Sequence, residues 1–201
     1  MTRRIVTFLV LIVAFATIAR LTFFHPQGPE WEFPRGWFWH DDESQRAHHA
    51  ELLGKPAPPL DLSDWRNGEV QPQDMKGKVV VLDFWATWCG PCIAAIPHNN
   101  ELAEKWKDKG VLIVGVCTAN GQENFDKIVS EKGIKYPVAR DPNVKSGDAW
   151  RVMWYPTYAV VDRKGVLRAI GLKPEFVERV VEKLVAEGAQ TDSGPAAAAG
   201  Q

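Results

Sequence analysis

At 201 residues and 45% hydrophobic composition, the chain has material for one core with extensions at its ends. A formal net charge of −1 excludes a nucleic-acid partner held by a strongly basic surface. Three cysteines are too few for a disulfide-rich scaffold or a four-cysteine zinc site. Arg3 and Arg4 precede an apolar stretch over residues 5–19, continued by Arg20, Leu21, Thr22, Phe23 and Phe24. Positive charge ahead of such a stretch directs the following chain out of the cytoplasm. Residues 1–24 therefore read as a signal peptide or an N-terminal membrane anchor. Ala14-Phe15-Ala16 fits cleavage; a span of about 20 residues with Arg20 snorkelling to the interface fits retention. Both readings put the main domain outside the cytoplasm, in the periplasm or at the outer face of the cytoplasmic membrane.

Residues 25–50 read as a linker, with Pro26, Gly28, Pro29, Pro34 and Gly36 among charged residues. Its aromatics Trp31, Phe33, Trp37, Phe38 and Trp39 suit either a membrane interface or a patch of the domain. His40, His48 and His49 beside Asp41, Asp42 and Glu43 are metal-ligating types. Their spacing matches no recognised site, so no metal is expected.

The domain proper is predicted over residues 51–187. Residues 54–60 and 67–70 read as an extended lead-in and a turn. The continuous apolar run 79–84 predicts a strand buried on both faces, and 93–107 carries helical spacing. A second buried strand is predicted over 111–117, a helix over 124–132, a short strand over 135–139 and a short helix over 146–154. Residues 157–162 and 166–170 flank Arg163-Lys164-Gly165 as a β-hairpin. An amphipathic helix over 175–186 closes the domain, and 188–201 has the composition of a disordered tail. This order predicts an α/β domain: a central sheet with parallel and antiparallel strands, flanked by helices on both faces.

The motif Cys89-Gly90-Pro91-Cys92 falls on the turn between the first buried strand and its helix. Two cysteines at this spacing can close a disulfide ring or bind a soft metal. A helix start presents unpaired N–H groups and the positive end of the dipole, which favour a thiolate at Cys89. A thiolate near neutral pH is what thiol–disulfide exchange needs.

Phe84-Trp85-Ala86-Thr87-Trp88-Cys89-Gly90-Pro91-Cys92 resembles the thioredoxin superfamily, and within it the membrane-anchored or periplasmic TlpA/ResA type. Gly54-Lys55-Pro56-Ala57-Pro58, Lys76-Gly77-Lys78-Val79-Val80-Val81-Leu82, Tyr155-Pro156-Thr157-Tyr158 and an insertion after the second core strand, near residues 120–145, extend the likeness. The resemblance implies a thioredoxin fold and a thiol–disulfide oxidoreductase without a cofactor. It makes Cys89 the exposed nucleophile and Cys92 the buried resolving thiol, with Trp88 at the rim and Gly90 and Pro91 opening the helix. Pro97 matches the family's helix proline, and Tyr155-Pro156 its cis-proline, where the Tyr155 backbone would receive an extended substrate. Asp83 matches the buried acid of thioredoxin, a proton relay to Cys92. Two departures stand out. Ala95 occupies the place of the acid that many TlpA/ResA-type proteins carry in the helix, and Val114-Gly115-Val116 lacks thioredoxin's partner lysine.

The resemblance also implies partners: disulfide-bearing protein substrates, and a membrane or soluble dithiol donor upstream. The Gly-Pro dipeptide is that of reducing thioredoxins, and cytochrome c maturation is the commonest task of the group; an oxidant or isomerase is the alternative. A copper chaperone of related fold would need three residues between the cysteines and a distal histidine, but none follows His98. A peroxiredoxin would need a Pro-x-x-x-Thr/Ser-x-x-Cys setting, which is missing. Cys117 at the end of the second buried strand reads as a small core residue, and Trp65, Trp106, Trp150 and Trp154 as packing residues.

Overall fold

A strand at the middle of a sheet covered on both sides must be apolar at nearly every position, and residues 79–85 are buried throughout. The computed structural model describes residues 32–39 and 43–192. Its elements are α1 (Glu43–Ala50), β1 (Ser63–Arg66), α2 (Pro72–Met75), β2 (Val79–Trp85), α3 (Gly90–Trp106) and β3 (Val111–Thr118). Then follow α4 (Phe125–Glu131), β4 (Val138–Asp141), α5 (Lys145–Ala149), β5 (Thr157–Val161), β6 (Leu167–Leu172) and α6 (Pro174–Asp192). The strands lie in the order β1-β4-β3-β2-β5-β6. β2 runs parallel to β3, and β3 to β4, while β2–β5, β5–β6 and β1–β4 are antiparallel. The mixed, helix-flanked sheet is the predicted one.

Side chains alternate between two cores, as the pleat requires. Val79, Val81 and Trp85 of β2 pack with Ile96, Leu102 and Trp106 of α3 and with Val177, Val180 and Leu184 of α6. Val80, Leu82 and Phe84 face the other way, onto Leu167, Ile170 and Trp150 and the lead-in residues Leu60, Leu62, Trp65 and Val70. Asp162 builds the β5–β6 turn by accepting from the N–H groups of Lys164 and Val166, and Gly165 takes the left-handed backbone there.

The structure differs from expectation in four stretches. The turn expected near 67–70 is preceded by the edge strand β1 and followed by the one-turn helix α2. The strand expected over 135–139 begins at Val138, because Tyr136 and Pro137 lead into it. The helix expected over 146–154 ends at Ala149, and α6 runs on to Asp192 instead of ending before 188. The described parts of residues 25–50 pack on the domain. Phe33 and Phe38 are each 5% exposed. Trp37 stacks on Phe176 of α6 at 5.3 Å, and Phe38 bridges to Leu172 of β6. Burying two phenylalanines contributes about 1.5–3 kcal/mol each toward holding the segment in place. Glu32 adds an ion pair to Lys183 at 2.8 Å. Residues 1–31 and 193–201, with His40, Asp41 and Asp42, lie outside the described residues. Among the described residues, no helix is long and apolar enough to cross a membrane.

Candidate active site

β2 brings the chain to the carboxyl end of the central strands at Trp85, and after Ala86, Thr87 and Trp88 the chain enters α3 with Cys89 as its N-cap. Cys89 and Cys92 are joined in a disulfide. The Cys92 N–H donates to Sγ of Cys89 at 3.2 Å, so this sulfur takes one of the orphan donors at the helix start. Pro91 sits in the first turn, where its missing N–H forfeits no bond. A side chain at Gly90 would meet nothing within 4 Å, so its absence leaves an open approach rather than relieving a clash. Cys92 is 1% exposed and Cys89 4%. Both cysteines are buried in the disulfide form, so Cys89 is less open than the exposed nucleophile expected there.

Trp88 is the exposed rim, 57% open, with its ring edge-on to Tyr155 at 6.0 Å. The loop after β3 fixes it. The Trp88 indole N–H donates to the Asn120 carbonyl at 3.1 Å, and the Thr87 hydroxyl to the Gly121 carbonyl at 2.7 Å. Gly121 has φ +83°, and a Cβ there would lie 2.8 Å from Trp88 Cδ1. The Tyr155–Pro156 peptide bond is cis, Pro156 is buried, and Met153 just before it is 48% exposed. Pro97 lies inside α3, which continues through it.

Asp83 is buried in the middle of β2, opposite Gly115 of β3 and Tyr158 of β5. Its Oδ2 accepts from the Asn99 amide at 2.9 Å and from the Tyr136 hydroxyl at 3.2 Å. Asn99 also donates to the Tyr158 hydroxyl at 2.9 Å. Oδ1 of Asp83 is buried without a hydrogen-bond partner. Burial pushes the carboxyl up to about 7, against the donors Tyr136 and Asn99 that pull it down. No cation stands where thioredoxin has its lysine. Gly115 occupies the place, and its bare backbone admits the Tyr136 ring, whose Cε2 would lie 3.2 Å from a Cβ there. The acid therefore sits in a neutral donor shell.

Asn99, Tyr136 and Tyr158 were not foreseen from the sequence. Asn99 alone left a signal: it interrupts the buried stripe Cys92, Ile96, Leu102 and Trp106 of α3 with a polar side chain, two turns after Cys92. Replacing Tyr136 by Phe deletes one donor to the carboxylate. The apparent pKa of Asp83, followed by carboxyl carbon NMR, is expected to rise by about one pH unit. An unmoved titration would remove Tyr136 from the shell.

Ala95 is buried, so the helical position of the alternative acid holds no charge. Cys117 is fully buried, its thiol pushed up to about 12 by burial, and it packs as a core residue. Among the described residues, no three His, Cys, Asp or Glu side chains gather into a metal site.

Comparison with known proteins agrees with this geometry. The Redoxin family model matches residues 52–185. The thiol-disulfide oxidoreductase ResA of Bacillus cereus is 33% identical over 135 residues, covering 67% of this chain and 70% of its own. ResA of Geobacillus kaustophilus is 31% identical over 138 residues, covering 67% and 79%. Among solved structures, a thiol:disulfide interchange protein DsbE from Chlorobium tepidum superposes with a TM-score of 0.58 at 30% identity, over 68% of this chain and 96% of that one. A thioredoxin-like protein in its oxidised form gives a TM-score of 0.60 at 28% identity, over 67% and 97%.

Proposed function

The chain belongs to the redoxin family as a thioredoxin-fold thiol–disulfide oxidoreductase of the TlpA/ResA type, and on that premise we propose that it reduces protein disulfides outside the cytoplasm. The observation that carries the proposal is the Cys89–Cys92 pair at the start of α3, with a buried acid on the strand that leads into it. In the dithiol form, the Cys89 thiolate attacks one sulfur of a substrate disulfide. The other substrate sulfur leaves as a thiolate, and a mixed disulfide forms. Cys92 then loses its proton to the Asp83 carboxylate and attacks Cys89, closing the Cys89–Cys92 disulfide and freeing the substrate as a dithiol. Two electrons pass to the substrate, and an upstream dithiol donor, membrane-bound or soluble, restores the pair. The open approach at Gly90 and the rim of Trp88, Tyr155 and cis-Pro156 support docking of an extended substrate segment there.

Residues 1–24 would export the domain, as a cleaved signal or a retained anchor, and residues 51–187 would carry the activity. Opening the disulfide of an apocytochrome c before haem attachment is the task we propose for it. The deciding measurement is the reduction potential of the Cys89–Cys92 pair. A reductant is expected to lie near about −270 mV and to open insulin, whereas a value near about −120 mV would make it an oxidant. Mass spectrometry of protein recovered from the cell envelope, against the cytoplasmic fraction, tests export and shows whether residues 1–24 are retained.

A further inference from the structure

A histidine that matches no metal site has another use in this fold. The end of α1 lies against the loop that leads into cis-Pro156. Arg151 of that loop has φ +56°, just past α5, at a place glycine ordinarily fills. A residue other than glycine is uncommon in this left-handed backbone and persists when its neighbours over-determine it. Here they do. The Arg151 guanidinium donates to the His48 carbonyl at 2.7 Å and to the Glu51 carboxylate at 2.5 Å. In return, the Arg151 carbonyl accepts from Nε2 of His49 at 3.0 Å.

His49 is only 2% exposed, and burial lowers its pKa to about 4, so near neutral pH it is the uncharged ring whose Nε2 carries the donated proton. Its ring packs against Trp154 at 5.5 Å, and both rings lie beside Gly171 of β6, where a Cβ would stand at ordinary contact distance, 3.5 Å from Trp154 and 3.6 Å from His49. The Trp154 carbonyl accepts from the Thr157 hydroxyl at 2.7 Å, which carries the tie across cis-Pro156 into β5. Between these fixed points lie Met153, exposed, and Tyr155, edge-on to Trp88.

We infer that His48, His49 and Glu51 form a clasp on Arg151 that positions the loop 151–155. The clasp governs how tightly extended protein substrates bind and leaves the reactivity of the cysteine pair alone. This rests on the reading that Tyr155 and Pro156 receive the substrate. His49 and Arg151 are positioning residues; they touch neither sulfur nor substrate.

Arg151→Gly keeps the left-handed backbone without strain and removes the guanidinium. His49→Phe keeps the ring packing and removes the N–H. In the full chain, Arg151→Gly is expected to raise KM for insulin about fivefold, the scale of one partly exposed hydrogen-bonded pair. The double variant should raise it further. In both, kcat and the rate with hydroxyethyl disulfide stay at the wild-type value, and amide exchange at residues 152–155 quickens. An unchanged KM with unchanged exchange would overturn the clasp. So would a parallel loss with the small disulfide, because the chemistry itself would then have been disturbed. If the wild type did not open insulin at all, the reductase reading would fail, and the exchange measurement alone would decide the clasp.

Discussion

Cys89→Ser is expected to lose disulfide reduction by about three orders of magnitude or more, down to the uncatalysed background. A serine hydroxyl does not ionise near neutral pH, and it forms no disulfide with the substrate. Cys92→Ser should behave differently. Its Cys89 still attacks, but nothing resolves the product, so a mixed disulfide with the substrate accumulates. The asymmetry follows from position. Cys89 caps α3 and is the more open of the two at 4% exposure, beside the open approach left by Gly90. Cys92 lies inside the first turn at 1% exposure. Non-reducing gels followed by mass spectrometry read both outcomes, and the partner held by Cys92→Ser identifies the substrate. If Cys89→Ser held a partner and Cys92→Ser did not, the two roles would have to be exchanged.

The central strands, the helix after the cysteines and the β5–β6 hairpin were legible because each carries its own period and its own turn residues. β2 and β3 read as unbroken apolar runs, which only a doubly covered strand requires. β1 was not legible. Ser63-Asp64-Trp65-Arg66 is a four-residue edge strand of mixed burial, with Asp64 at φ +52°, and its pairing with β4 is a purely long-range choice. The segment around Trp37 was half legible. Its aromatics announced a surface to cover, but a Pro- and Gly-rich stretch has no period to say which one. Only the stacking on Phe176 and the bridge to Leu172 settle that.

The site divides in the same way. Cys89, Cys92 and Pro156 sit in local motifs, and Asp83 is placed by its spacing in the sequence, six residues before Cys89. The shell of Asp83 comes from α3, β5 and the loop before β4, so no stretch of sequence contains it. Even the missing lysine could be noticed without revealing that Tyr136 enters over Gly115.

That shell sets the second large effect. In the unfolded chain Asp83 titrates near 3.8, and in the fold near about 7. Between those values the native protein holds a proton on Asp83 that the unfolded chain has lost, so the contribution of Asp83 to stability is fullest below about pH 4 and falls as the pH rises toward 7. Above pH 7 the loss is complete, and the shift corresponds to about 4 kcal/mol. Asp83→Asn cannot ionise and escapes this penalty. Its amide N–H would face the place where Oδ1 now has no partner, taking back on the order of 1 kcal/mol. The oxidised variant is therefore expected to be about 3 kcal/mol more stable than the wild type at pH 8, and no more stable at pH 4. Denaturant unfolding at the two pH values reads this directly. The same substitution removes the group proposed to take the proton of Cys92. Resolution of the mixed disulfide should slow about a hundredfold near pH 7, with little change in KM and with the inflection near pH 7 gone. A variant that gained stability but kept its rate and pH profile would leave Asp83 a buried acid without a role in turnover. The fold tolerates an ionised carboxylate in its core, half of it unpartnered and with no cation nearby, and a core position offers many more stable residues. The proton on Cys92 supplies a reason to keep this one.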